Sequence, residues 1–285
     1  MKRIKSLLAV FLVMATGLLT ACAGSVNTNQ EAVTTIAANE SSKPAEKQKL
    51  KLACVAFNYD EVNNPAAIKK LNDMGYELEV VVLDDATTMN EATMTGEIDA
   101  SLHQHKPWMD AYNESKNRNM VMLTPYIHYN VFGMYSNKYK STSELPDGAT
   151  ISIPQDSSNM ARALLLMEQQ GLIKLKDSVK IPTTLDIVEN PKNLKINELH
   201  SHQVVSSMPD VDACASAKMF IVSNNIPLDT EICVSGDLKD FGVGFVINPS
   251  MEGEKWAKDL ISAYTSDEMR EEINRIFKGC YVPGF

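Results

Sequence analysis

Ile98-Asp-Ala-Ser-Leu-His-Gln-His-Lys-Pro-Trp-Met-Asp-Ala-Tyr112 is the stretch on which the reading of this chain turns. A short apolar run ends in polar and aromatic residues, and then comes Pro107, whose missing N–H is not needed in the first turn of a helix. The stretch therefore reads as a buried strand feeding a helix. Alternate residues of a strand share a face, which sets His103 and His105 on one side of Ala100–His105 and Leu102 and Gln104 on the other. Open α/β sheets place ligands where a strand's C-terminal end meets a helix N-terminus. Two imidazoles and an indole at such a junction are candidate pocket lining.

The same alternation continues outward. Leu50–Phe57 has a strand pattern, and Asn64-Pro65 opens a helix that closes at Gly75, as expected of a C-terminal helix stop. Tyr76–Leu83 is a strand, Met89–Thr95 a short helix ended by Gly96, and Met120–Thr124 and Val131–Ser136 are strands. After Lys138-Tyr-Lys140 the pattern restarts. Thr150–Pro154 is a strand, and Asp156 caps a helix Met160–Gln169 with Gly171 beyond it. Thr183–Glu189 is expected to be a short helix, Leu194–Leu199 and Val211–Ser216 strands, Lys218–Val222 a helix and Gly242–Ile247 a strand. Met251–Tyr264 and Asp267–Phe277 are amphipathic helices. Strands alternating with helices define an α/β chain with a largely parallel sheet. At 285 residues, two modest domains suit the length better than one. The expected architecture is two-lobed and periplasmic-binding-protein-like. Lobe I holds residues 49–136 and 240–285, lobe II holds 137–239, and ligand binds in the cleft between them.

The N-terminus belongs to targeting rather than fold. Lys2, Arg3 and Lys5 precede an apolar stretch, Leu7–Leu18, too short to span a bilayer. Leu19-Thr20-Ala21-Cys22 follows and resembles a bacterial lipobox, so residues 1–22 read as a lipoprotein signal segment in which cleavage just before Cys22 makes it the lipidated new N-terminus. Residues 23–48 are rich in Ser, Thr, Asn and Glu and read as a flexible tether. Such a tether spans on the order of 30 Å r.m.s. and holds the folded body near a membrane.

The chain carries a formal charge of −9 and has no Lys/Arg cluster outside its first residues, so nucleic acid is not an expected partner. Cys54, Cys214, Cys233 and Cys280 have wide spacings with no C-x-x-C, which suggests neither a zinc ribbon nor a redox pair. There is no G-x-S-x-G, P-loop or dinucleotide fingerprint, and no cofactor or catalytic role is expected.

Two constellations could bind something small. His103-Gln-His105 and His200-Ser-His202 are two H-x-H pairs that would supply four imidazoles to a divalent cation if they converged. Asp156-Ser-Ser-Asn-Met-Ala-Arg162 places an amide and hydroxyls at a helix N-terminus, with Arg162 one turn inside. Free N–H groups and the helix dipole favour a carboxylate there, and an Arg fork can hold it bidentately.

Several longer runs fit one pattern: Gly75-Tyr-Glu-Leu-Glu-Val80, Gln104-His-Lys-Pro107, Tyr139-Lys-Ser-Thr-Ser-Glu-Leu-Pro-Asp-Gly148, Asp186-Ile-Val-Glu-Asn-Pro-Lys-Asn-Leu-Lys-Ile196 and Val282-Pro-Gly-Phe285. With the lipobox, these resemble the NlpA family, the methionine-binding lipoproteins that feed D/L-methionine ABC importers, across essentially the whole mature chain. The resemblance implies an aromatic-Gln-His-x-Pro-aromatic segment at the cleft, with His105 and Trp108 on its His and second aromatic. It implies that Asn159 and Arg162 hold an amino-acid backbone. His103 stands where the family usually has Phe. Ala217-Lys-Met-Phe220 replaces an Asn-Gly-Asn-Tyr-like run, so Ala217 takes the place of a ligand-binding amide, and Asn58-Tyr-Asp-Glu61 departs from a Pro- and His-containing loop. Lys218, Tyr59, Tyr129 and His103 are the candidates to compensate.

The resulting expectation is a non-enzymatic solute-binding lipoprotein of an ABC importer. It would be lipid-anchored on the extracytoplasmic face of the cell membrane and deliver methionine or a related amino acid to a permease and ATPase complex. Arg162 and Asn159 hold the carboxylate, while His105, Trp108, His103 and Tyr129 line the side-chain pocket. Two alternatives remain: a metal-binding lipoprotein using His103, His105, His200 and His202, and an interaction lipoprotein that has lost its ligand at Ala217.

Overall fold

Gln48–Cys54 is an interior strand of a five-stranded sheet, and its sequence explains why. Leu50, Leu52 and Cys54 point into one apolar core while Ala53 points into another, so both faces are covered, as in a parallel sheet with helices on either side. The strand pairs in parallel with Tyr76–Val82 on one side and Ala100–Leu102 on the other. Val246–Ile247 then runs antiparallel to Ala100–Leu102 and to Val121–Met122, completing the sheet. The structure is a computed structural model and describes residues 46–285, except 237 and 238. The expected signal peptide and lipobox at residues 1–22, and the expected tether as far as residue 45, lie outside the described residues. Gln48, the last residue of the expected tether, already belongs to the first strand.

A second five-stranded sheet repeats the logic. Its order is Lys195–Leu199, Thr150–Pro154, Ala213–Ala217, Phe132–Tyr135 and Glu231–Val234. The first three are parallel and the last two antiparallel to their neighbours. Helix Ser157–Gln169 covers one face, and its Leu164 and Met167 pack with Ile151, Ile153 and Phe132. Helices Lys255–Tyr264 and Asp267–Phe277 return to the first sheet, burying Leu260, Tyr264, Met269 and Ile273 in its core.

A small antiparallel sheet is made of Gly242–Val243, His128–Asn130 and Tyr281–Pro283, three segments far apart in the chain. It encloses a buried polar network. His128 Nδ1 is 2.7 Å from Glu61 Oε1, the Asn58 amide donates to Glu61 Oε2 at 2.8 Å, and the His128 ring stacks on Tyr281 at 3.9 Å.

Three expectations need adjusting. Thr183–Glu189 is not a helix. A single 3₁₀ turn, Thr184–Asp186, is closed by a reciprocal Thr183–Asp186 capping box, and Ile187–Glu189 then pairs as a strand with Lys174–Leu175. Leu185 and Val188 are exposed, so no apolar face existed to hold a helix down. The helix expected from Met251 starts only at Lys255, because Gly253 takes a φ of +96°. Phe132–Tyr135, placed before the expected boundary at residue 136, sits inside the second sheet, so the chain enters that sheet earlier than the strand spacing suggested.

Candidate functional site

His105 ends the segment that follows strand Ala100–Leu102 and serves as N-cap of helix Lys106–Lys116. Its Nδ1 accepts the Trp108 backbone N–H at 3.2 Å, satisfying one of the donors that every helix start leaves open. With Nδ1 accepting, the proton resides on Nε2, which donates to Asn159 Oδ1 at 3.0 Å. Burial pushes the His105 pKa down to about 4, outweighing the Asn159 hydrogen bond, and the nearby Arg162 charge lowers it further. The ring is therefore a neutral, single-tautomer link between the two halves of the chain.

Asn159 is itself fixed. Its side-chain amide donates to both Asp156 oxygens, at 3.0 and 3.1 Å, and its backbone N–H donates to Asp156 Oδ1 at 3.0 Å. Asp156 is the N-cap of helix Ser157–Gln169 and also accepts the Ser158 and Ser201 hydroxyls. The helix N-terminus that the sequence offered to an anion is thus already taken by a carboxylate of the chain. The other element of that expected anion site is Arg162. One turn further on, its guanidinium lies between the rings of Phe132 (4.8 Å) and Phe241 (4.2 Å) and donates from Nη2 to the Asn130 carbonyl at 2.7 Å. Stacking on two rings and a backbone bond hold the fork in one orientation.

These groups surround a cavity of about 180 Å³. That is smaller than the roughly 300–1,000 Å³ of sites for drug-sized molecules, and it suits an amino acid. Val55, Phe57, His103 and Trp108 line it from the first half of the chain, and Asn130, Asp156, Ser201, His202, Ala217 and Phe220 from further along. Phe220 meets Phe57 edge-on at 5.7 Å and His202 at 5.1 Å, and His103 meets Trp108 edge-on at 6.0 Å. One end of the cavity is charged and the other aromatic. A larger hollow, about 380 Å³, opens on the other side of Arg162, but it is walled partly by the exposed Leu165 and Ile181 and has fewer convergent polar groups.

Of the six residues expected at the site, Arg162, Asn159, His105, Trp108 and His103 line this cavity. Tyr129 does not: it packs edge-on against Tyr126 at 6.1 Å, and its neighbour Asn130 faces the cavity instead. Lys218 is engaged with Glu231 at 3.0 Å, and Tyr59 is exposed. The two H-x-H pairs do not converge as four ligands. His202 lines the cavity, but His200 is bonded to Gln155, and among the described residues no group of three or more His, Cys, Asp or Glu is arranged to hold a metal ion. Phe57, Asn130, Ser201, Phe220 and Phe241 were missed by sequence reasoning. Each reaches the site through long-range pairing that no local spacing announces.

An α/β chain built on two like five-stranded sheets, with residues of both halves lining one small charged cavity, has the architecture of a solute-binding protein. The NlpA lipoprotein family model matches residues 50–285, and the chain belongs to that family. It is 37% identical over 215 residues to the D-methionine-binding lipoprotein MetQ of Salmonella typhi, covering 74% of this chain and 79% of that one. It is 33% identical over 285 residues to outer membrane lipoprotein 1 of Mannheimia haemolytica, covering 99% of both. A nutrient-binding protein from Burkholderia cenocepacia, solved bound to methionine, superposes with a TM-score of 0.77 at 33% identity, over 83% of this chain and all of that one. The fold is that of the methionine-binding periplasmic binding proteins.

Proposed function

We propose that this protein is the solute-binding lipoprotein of an ABC importer, that it captures a zwitterionic α-amino acid in the cavity around Arg162, and that it releases the ligand unchanged to a membrane permease. The observation that carries this reading is the pairing of opposite charges on one small cavity wall. Arg162 is oriented to take an α-carboxylate through its fork, and the Asp156 carboxylate, whose oxygens already accept from Asn159, Ser158 and Ser201, complements an α-ammonium through its charge. The aromatic end formed by Trp108, Phe57 and Phe220 receives the side chain. Relatives named as methionine-binding support methionine or a compound of its size as the ligand class.

The two halves of the chain, each built on one five-stranded sheet, act as lobes that close over the ligand, with the small antiparallel sheet around His128–Asn130 as the connection. Cys22 carries the lipid that anchors the protein to the extracytoplasmic face of the membrane. Among the described residues no helix is long and apolar enough to cross a membrane.

Isothermal titration of the detergent-solubilised lipoprotein with a panel of L-amino acids tests the reading. One ligand is expected to bind with 1:1 stoichiometry, and Arg162→Ala to weaken it about a hundredfold. A panel that produces no heat with the wild-type protein, or an Arg162→Ala variant that binds normally, defeats it.

A further inference from the structure

We infer that the aromatic end of the cavity selects a side chain that carries an uncharged oxygen acceptor, a carboxamide or a sulfoxide, and that His103 is the residue that makes the selection. The inference rests on the amino-acid-binding reading above.

His103 and His105 differ in one decisive respect. Both nitrogens of His105 are engaged, one by the Trp108 N–H and one by Asn159. Both nitrogens of His103 are sealed from solvent and have no hydrogen-bond partner, although the ring is part of the cavity wall. Buried polar atoms are nearly always paired, and neither nitrogen has surface on the cavity as the ring stands, so turning the ring about its Cβ–Cγ bond is what presents one to a ligand group. The ring also meets the edge of Trp108, which fixes it beside the aromatic end of the cavity rather than beside Arg162.

The charge state narrows the ligand. Burial alone pushes the His103 pKa down to about 3, so near neutral pH the ring offers one N–H donor and one lone pair but no positive charge. An acidic side chain gains no ion pair there. A thioether sulfur is only a weak acceptor and leaves the N–H unpaired. A carbonyl or sulfoxide oxygen at the same distance from the α-carbon accepts it fully. Sites built around a buried hydrogen-bonding group reject analogues lacking the partner far more strongly than apolar pockets reject a misfit. Ala217, also in the wall, adds no polar group that would compete for the ligand's oxygen.

Titration calorimetry of the detergent-solubilised lipoprotein, freed of co-purified ligand by unfolding and refolding, compares L-methionine, L-methionine sulfoxide, L-glutamine and L-glutamate. The wild-type protein is expected to bind the sulfoxide or glutamine at least tenfold tighter than methionine, and which of the two wins identifies the oxygen. His103→Phe is expected to reverse that order by at least tenfold, and His103→Asn, which keeps a donor, to preserve it. A wild-type preference for methionine overturns the inference while leaving the amino-acid reading standing. So does a His103→Phe protein that folds, by circular dichroism, with the selectivity unchanged. Should His103→Phe fail to fold, the wild-type order alone decides. Silence toward all four ligands, with binding to no other amino acid, overturns both.

Discussion

His105 Nε2 donates to Asn159 Oδ1 at 3.0 Å, so the cap of one helix is tied to the first turn of another that begins 52 residues later in the sequence. The ring has two separable duties, capping through Nδ1 and bridging through Nε2. His105→Asn retains a good N-cap residue but is too short to reach Asn159, whereas His105→Ala loses both. We expect His105→Asn to melt near the wild-type temperature and to weaken ligand binding about tenfold, because Asn159 and the adjoining wall lose their tie. His105→Ala should also cost about 1 kcal/mol of stability. Thermal melts beside calorimetry decide it, and an Asn variant with normal affinity would show that the bridge has no part in binding.

Two depressed histidines make stability depend on pH. Folded pKa values of about 3 for His103 and about 4 for His105 lie below the ordinary 6.5 of an unfolded chain. The unfolded state therefore binds protons first. Stability is full above pH 6.5, falls as pH drops from 6.5 toward 4, and levels off below the folded values. Each ring contributes a loss of about 1.4 kcal/mol per pH unit inside that window. Urea denaturation at pH 7 and pH 5 should show a smaller drop for His103→Phe than for wild type. Equal drops would mean that His103 does not titrate between the two states.

Much of this was legible because it is local. The Asn64 and Asp156 caps, the glycine stops and the Pro107 helix start are written in neighbouring residues, and the alternation of strands and helices follows from their periodicity. Arg162 and Asn159 drew attention as residues of a helix start and His105 as the residue just before one, but their roles at a site came from the resemblance to the NlpA family. Tyr129 shows where that method stops. In strand His128–Asn130 adjacent side chains point to opposite faces, so choosing the aromatic over its amide neighbour chose the wrong face. Phe57 and Phe220 meet across 163 residues, and Phe241 closes on Arg162 only because the chain returns from the second sheet. No spacing in the sequence encodes such contacts.

The Glu61–His128 pair lies wholly out of solvent, with Glu61 on the helical turn Tyr59–Val62 and His128 on the small antiparallel sheet. Removing one partner leaves the other buried with its bond unmade. His128→Leu should cost about 3–5 kcal/mol in chemical denaturation. Replacing both, Glu61→Met with His128→Leu, removes the orphan and should recover a large part of that loss. A double variant as unstable as the single one would mean that the pair's packing on Tyr281, not its polar bond, is what the fold needs.

Arg162 stands between Phe132 and Phe241 with Nη2 on the Asn130 carbonyl, which is a demand for a flat, forked cation and not merely for positive charge. Lysine keeps the charge but offers a point ammonium that cannot stack between two rings or grip a carboxylate with two parallel bonds. We expect Arg162→Lys to weaken amino-acid binding by about 10- to 100-fold, or roughly 1.4–2.8 kcal/mol. Its stability should fall less than that of Arg162→Ala, which strips the Asn130 carbonyl of its donor altogether. Calorimetric titration and thermal melts of the two variants separate the effects. Wild-type affinity in Arg162→Lys would reduce the role of this residue to charge alone, and the stacked geometry would then belong to folding rather than to recognition.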